Sequence, residues 1–277
     1  MTAASPQAAA FLALLERPAA AVMGILNLTP DSFSDGGQFA APDRALAHAR
    51  QMIAAGADIL DVGAVSSRPY DNNVEPPAEE ELRRLAPVLR DVVALGLPVS
   101  IDTMQSRVAR YALECGVGAV NDVWGLQRDL SMADVVAEFG ASVIVMHNRL
   151  EVDPMLDIMA DVTEFLSRSI EIALRAGVPR EHIVLDPGIG FGKTPEQSMT
   201  VLARLEELHQ LGLPLLVGAS RKRFIASVVP SEPQERLGGS LAAHLISVQR
   251  GAKIIRAHDV AETVQALRVA AAIESNK

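Results

Sequence analysis

Short apolar runs alternate with stretches of helical spacing along most of the chain. The runs are Val22–Leu26, Gly56–Asp61, Pro98–Asp102, Gly118–Asp122, Gly140–His147, His182–Asp186, Pro214–Val217 and Gly251–Arg256. Four of them echo one another: a glycine closes a helical stretch, a few aliphatic residues follow, and a polar residue ends the run. A near-continuous apolar run reads as a strand buried on both faces, the condition inside a parallel sheet. Between the runs, Asp43–Ala55, Glu79–Ala94, Ser106–Cys115, Met132–Phe139, Met155–Ala176, Pro195–Leu211, Gly239–Arg250 and Val260–Ala271 carry helical periodicity. Strict alternation predicts parallel strands with right-handed crossovers. Eight units predict an α/β fold closed into a (β/α)8 TIM barrel, with an open doubly wound sheet as the alternative. The interior has no linker-like segment, so residues 21–277 read as one barrel behind an N-terminal extension, 1–20.

The polar residues matter because of where they fall. Asn27, Asp61, Asp102, Asn121, His147, Asp186, Lys222, Arg256 and His258 stand at or just beyond the ends of the runs. In such barrels this is the C-terminal rim, where chemistry is done. A barrel with a purely structural role has no need of so many polar strand ends, each of which must be solvated or paired.

Composition narrows the choice further. Nearly half the residues are hydrophobic (49%) but only 4% are aromatic, so one large aliphatic core is expected. A net charge of −9 argues against nucleic acid or an anionic membrane as partner. Cys115 is the single cysteine, which rules out an internal disulfide or a thiolate metal cage and fits a reducing cytoplasm. The apolar stretch Ala8–Leu15 lacks a preceding basic segment and is closed by Glu16 and Arg17, unlike a signal peptide.

The loop-bearing segments carry the specific signal. Met23–Gly37 delivers Asn27 and then a polar loop long enough to act as a lid. With Ser66-Ser67-Arg68-Pro69, Ser100–Thr103, Asn121-Asp122, Val145-Met146-His147, Asp186–Lys193, Ser220-Arg221-Lys222 and Arg256–Asp259, it resembles in order and spacing the dihydropteroate synthase family, over about 250 residues. The resemblance implies condensation of 6-hydroxymethyl-7,8-dihydropterin diphosphate with 4-aminobenzoate in folate synthesis, assisted by Mg2+, and commonly a homodimer. Gly239–Arg250 offers a small apolar face (Ala242, Ala243, Ile246) suited to dimer packing.

Residue by residue, the resemblance assigns the pterin to Asp102, Asn121, Asp186 and Lys222. It places the diphosphate on Asn27, Arg68, Arg256 and His258, with Asn27 as the contact to metal or phosphate. It gives the aminobenzoate pocket Ser67, Arg68, Pro69, Phe191, Ser220 and Lys222. Catalysis falls to Asp102, Lys222 and Arg256. The chemistry is compatible: a carboxylate accepts paired N–H groups, Asn supplies both senses, and arginine grips phosphate oxygens. A carboxylate at position 102 would also face a cation developing at the pterin methylene.

Each residue has a plainer reading. Asp186 before Pro-Gly could be a turn-former, Arg221-Lys222-Arg223 a solvated cluster, His147 a satisfied buried histidine, and Asp61 a hydrogen-bond partner to the site. His48, His182, His209 and His244 read as structural or exposed, and Trp124 and Phe139 as packing groups. The second loop also departs from the family pattern: Val65, Ser67 and Tyr70 replace an acidic residue, Thr and Gly. That leaves a pterin-binding paralogue with another amine acceptor, or none, as one rival. A Schiff-base aldolase using Lys222 is the other.

Overall fold

The computed structural model describes residues 5–28, 40–65 and 76–276. In chain order the elements are α1 (Pro6–Leu15), β1 (Ala21–Asn27), α2 (Ala40–Ala54), β2 (Ile59–Gly63), α3 (Ala78–Leu85), α4 (Leu89–Val93), β3 (Val99–Asp102), α5 (Ser106–Glu114), β4 (Ala119–Asp122), α6 (Met132–Glu138), β5 (Ser142–Met146), α7 (Ile158–Arg175), β6 (Ile183–Asp186), α8 (Pro195–Ala203), β7 (Leu215–Val217), α9 (Arg223–Val228), α10 (Leu237–Gln249), β8 (Ala252–Ala257) and α11 (Val260–Glu274). Among the described residues, β1 to β8 pair in sequence order, all parallel, and β8 returns to β1. The closed barrel replaces the doubly wound alternative.

Every apolar run became a strand, while some helix limits moved for local reasons. The stretch 79–94 divides into α3 and α4 around Pro87, which has no N–H to continue a helical ladder. The last helical turns before β7 tighten into a 3-10 segment, Leu205–Leu211. Helix α7 begins at Ile158 rather than Met155 because the Asp157 carboxylate caps the N–H groups of Met159 and Ala160. Helices α1 and α9 had no counterpart in the pattern.

Strand residues alternate between the lumen and the encircling helices. Val22, Leu60, Val62, Val99, Ile101, Val120, Val145 and Leu185 face outward and pack on the helices. Ala21, Met23, Ile59, Ala119, Ile144, Val184, Leu216 and Ile254 form a separate apolar layer in the lumen, closed from below by Phe11 of α1. Gln7 of the same helix accepts the N–H of Val99. Phe11→Ala is therefore expected to cost about 3–5 kcal/mol. Chemical denaturation checks this, and a loss under about 1 kcal/mol would mean that α1 adds little to the barrel core.

One expectation about surfaces is adjusted. Ala243 is 5% exposed and belongs to the core, so the outer face of α10 is carried by Ala242 and Ile246. No described helix is long and apolar enough to cross a membrane.

Candidate active site

Above the apolar layer the same alternation points polar residues into the lumen. Two places beyond Ile59 comes Asp61, and two places beyond Val184 comes Asp186; Ala119 is followed by Asn121, and Ile254 by Arg256. Strand register sets Asp61 beside Ser100, and Asp102 beside both Gly63 and Asn121. The lumen thus changes from hydrocarbon to hydrogen-bonding groups within one pleat.

Asp61, fully buried, ties this layer together. It accepts hydrogen bonds from Ser100 Oγ (2.6 Å), Asn121 Nδ2 (3.1 Å) and Arg256 Nε (2.6 Å). Arg256 Nη2 donates to Asp102 Oδ2 at 2.8 Å, so one guanidinium bridges two buried carboxylates. Sequence alone ranked Asp61 behind Asp102. Its place inside the lumen becomes evident only once the strand phase is known.

The Asn121 side chain is held in one sense. A carboxylate can only accept, so Asn121 Nδ2 faces Asp61, and Oδ1 is left buried without a partner. Such an orphan costs about 1–3 kcal/mol, which a ligand N–H would recover. Asp186 shares the level of this acceptor. One of its oxygens accepts the Gly188 N–H at 2.7 Å, so the turn-forming reading is correct for that oxygen. Burial raises its carboxyl to about 6, against the pull of the Gly188 hydrogen bond, Lys222 and Arg256. Asp102 is raised to about 7, chiefly by burial; Arg256 opposes this, and Asp61, Glu81 and Asp122 add to it.

The rim is completed by the β6–α8, β7–α9 and β8–α11 connections. Lys222, at the start of α9, lies with Nζ 4.1 Å from the centre of the Phe191 ring. Phe191 packs with Val123 and Met146 beside Met104 and Trp124, forming an apolar wall. Ser220 Oγ accepts the His258 N–H (3.2 Å) and pairs with His258 Nδ1 (3.0 Å). Burial first, then Arg256, Arg221 and Lys222, push His258 down to about 3. It is a neutral imidazole here and not the cation expected from sequence. Arg221 is no solvated charge either, since its guanidinium clasps the Asp259 carboxylate from two nitrogens.

Behind the rim lies a second polar group. His147 turns out of the lumen and is a satisfied buried histidine, with Nε2 on Asp161 (2.8 Å) and Nδ1 receiving Lys193 Nζ (2.6 Å). Burial and the adjacent Lys193 ammonium lower His147 to about 3. Lys193, 2% exposed, received no role from the sequence.

Asn27, half-buried at the end of β1, faces Asp102 across Gly63. A Cβ on Gly63 would lie 3.7 Å from Asp102 Oδ2 and 3.8 Å from Asn27 Oδ1. The missing side chain leaves a small cradle between two oxygen donors. Among the described residues no three His, Cys, Asp or Glu side chains gather as a metal cage. Ser67, Arg68 and Pro69, the Tyr70 departure and the loop after Leu28 lie outside the described residues.

Known proteins bear on this geometry in two ways. Residues 23–258 match the family model of the pterin binding enzymes. The chain is 44% identical over 240 residues to dihydropteroate synthase of Bacillus subtilis, covering 86% of this chain and 83% of that one. A Clostridium difficile dihydropteroate synthase, solved in the presence of pteroic acid, superposes with TM-score 0.89 at 46% identity, over 92% of this chain and 97% of that one. A Xanthomonas albilineans dihydropteroate synthase, solved with 4-aminobenzoic acid, superposes with TM-score 0.88 at 43% identity over 94% of each chain. On these findings the aldolase reading of Lys222 falls away, and the chain belongs to the pterin-binding enzyme family and, within it, to the dihydropteroate synthases, the transferases of folate biosynthesis.

Proposed function

We propose that the polar layer of the lumen reads the pterin ring while the rim holds its diphosphate and receives 4-aminobenzoate. The observation that carries this reading is the buried, unpartnered Oδ1 of Asn121, fixed in direction by Asp61. An acceptor held in that way, beside the carboxylate of Asp186, matches a heterocycle edge that presents neighbouring N–H donors. Lys222 supplies the opposite sense to ring acceptors. Asp102 lies under the methylene that loses pyrophosphate, where its negative charge stabilises the cation as the C–O bond breaks. The neutral aniline nitrogen then attacks and releases its proton to solvent, so no general base is required.

Arg256 gives Nε and Nη2 to Asp61 and Asp102, which leaves Nη1 for a phosphate oxygen. His258, being neutral, serves as a hydrogen-bond donor to the leaving group. Arg68 is assigned to the same diphosphate, and Ser67, Arg68, Pro69, Phe191, Ser220 and Lys222 to the aminobenzoate pocket. The oxygen of Asn27 beside the Gly63 cradle fits a hard cation that takes its other ligands from diphosphate and water, so Asn27 would hold Mg2+. Bound there, the ion would neutralise charge on the departing pyrophosphate. We also place the enzyme in the cytoplasm as a homodimer packed through the outer face of α10, where Ile246 is exposed.

A coupled assay for pyrophosphate release, run with and without 4-aminobenzoate, tests the reading. Release is expected only with the amine present. Release at the same rate without it would leave a pterin diphosphate hydrolase, and no release in either case would leave a binding paralogue.

A further inference from the structure

The β6–α8 connection, residues 187–194, is wound around its own lysine. Lys193 Nζ donates to Gly188 O (2.8 Å), Phe191 O (3.1 Å) and His147 Nδ1 (2.6 Å), so all three ammonium N–H groups have an acceptor inside the protein. The acceptor role of His147 Nδ1 is not accidental. Asp161, on α7, can only accept, so it fixes the imidazole proton on Nε2 and leaves Nδ1 with its lone pair free for Lys193. Asp161 is in turn gripped by Arg149 at 2.7 Å. None of these four side chains lines the lumen, yet the chain of contacts ends at the backbone of Phe191, whose ring lies against the Lys222 ammonium.

We infer that Lys193 is a positioning residue for the aromatic-amine half of the reaction, and that Asp161 and His147 hold it in place. The cage fixes the carbonyl of Phe191 and hence the angle at which its ring meets Lys222. That ring and that ammonium form the wall against which a flat aromatic acid would lie. The pterin contacts depend less on the cage: Asn121 is held by strand β4 and Asp61, and Asp186 by strand β6, so the cage reaches Asp186 only at one remove, through Gly188. Specificity for the amine is thus set partly from α7, outside the pocket. This inference rests on the proposed reading of the pocket.

Steady-state kinetics of Lys193→Met and Asp161→Ala test it, with binding of the pterin diphosphate alone measured by calorimetry. Loss of a buried positioning contact is expected to raise KM for 4-aminobenzoate about tenfold in Lys193→Met and about threefold in Asp161→Ala, with the pterin Kd within about twofold of wild type. If Lys193→Met does not yield folded protein, Asp161→Ala decides alone, since Asp161 is partly exposed and stands in the first turn of α7, not on a strand. In a Phe191→Leu background the Asp161→Ala effect on KM should vanish, because the ring it positions is gone. Equal shifts in KM and pterin Kd, an unchanged KM, or an effect that persists in the Phe191→Leu background would each overturn the inference. A wild-type enzyme that shows no amine-dependent pyrophosphate release would instead defeat the proposed function.

Discussion

Asp102→Asn should fold normally and lose nearly all turnover. The amide keeps the size of the side chain and still offers an oxygen to Arg256 Nη2, and Arg256 retains Asp61 as its other partner. What disappears is the negative charge that the proposed mechanism places beneath the reacting methylene. Removing one preorganised electrostatic contact of this kind typically slows catalysis about 10²–10³-fold, or about 2.7–4 kcal/mol on the barrier. Pterin affinity should change much less, which separates a charge role from a packing role. The wild-type rate should also fall on the acid side of about pH 7, the value to which burial raises Asp102, because the protonated acid carries no stabilising charge. Sign and partner agree: Arg256 works to keep the group ionised, and protonation abolishes the interaction. Single-turnover rates for the two proteins across pH would settle the matter, and wild-type turnover in Asp102→Asn would remove the residue from the mechanism.

Gly188→Ala should be the more damaging change to the binding site as a whole. Gly188 sits at φ +66°, and a Cβ there would lie 1.9 Å from the His147 carbonyl oxygen, far inside any tolerable contact. The obstruction is backbone, and His147 is fully buried and anchored at both ring nitrogens, so it cannot yield cheaply. Left-handed backbone alone costs an alanine about 1 kcal/mol. Relief of the clash must come from the loop, whose N–H at 188 holds Asp186 Oδ1 and whose O at 188 is held by Lys193. Together these effects should lower stability by about 2–4 kcal/mol and weaken pterin binding at least about tenfold. Denaturant melts and pterin calorimetry read the two consequences separately. An unaltered midpoint with wild-type affinity would mean that the loop is far softer than its contacts imply.

The fold was largely readable because periodicity and punctuation agreed along the chain. Each glycine-led apolar run became a strand, and the polar residue closing it marked the rim. Position along a strand was readable; phase was not. Asp61 and Asp102 are both strand-end carboxylates, and the reading of Asp61 as a hydrogen-bond partner gave no hint that it lies a layer deeper and binds Ser100, Asn121 and Arg256 at once. His147, which ends a run just as they do, turns away from the lumen and joins Lys193. Charge states were also hidden. His258 reads as a cation until burial and three cationic neighbours are seen to neutralise it. Lys193 closes the Asp186–Lys193 segment but its role stayed hidden, since its side-chain partners are 32 to 46 residues away in His147 and, through it, Asp161. Helix α1 escaped notice because an Ala-rich stretch has weak amphipathic periodicity, although Phe11 makes it the floor of the lumen.

That floor governs traffic. With Phe11 sealing the barrel from below, both substrates and both products must pass the same mouth. On the proposed reading the heterocycle's contacts lie deepest, at Asn121 and Asp186, and the aromatic amine lies above them against Phe191, with Lys222 reaching both. On that reading whatever occupies the upper position bars the lower one, so a filled amine pocket over an empty well is a dead end, and the packed base of the barrel imposes an order of events.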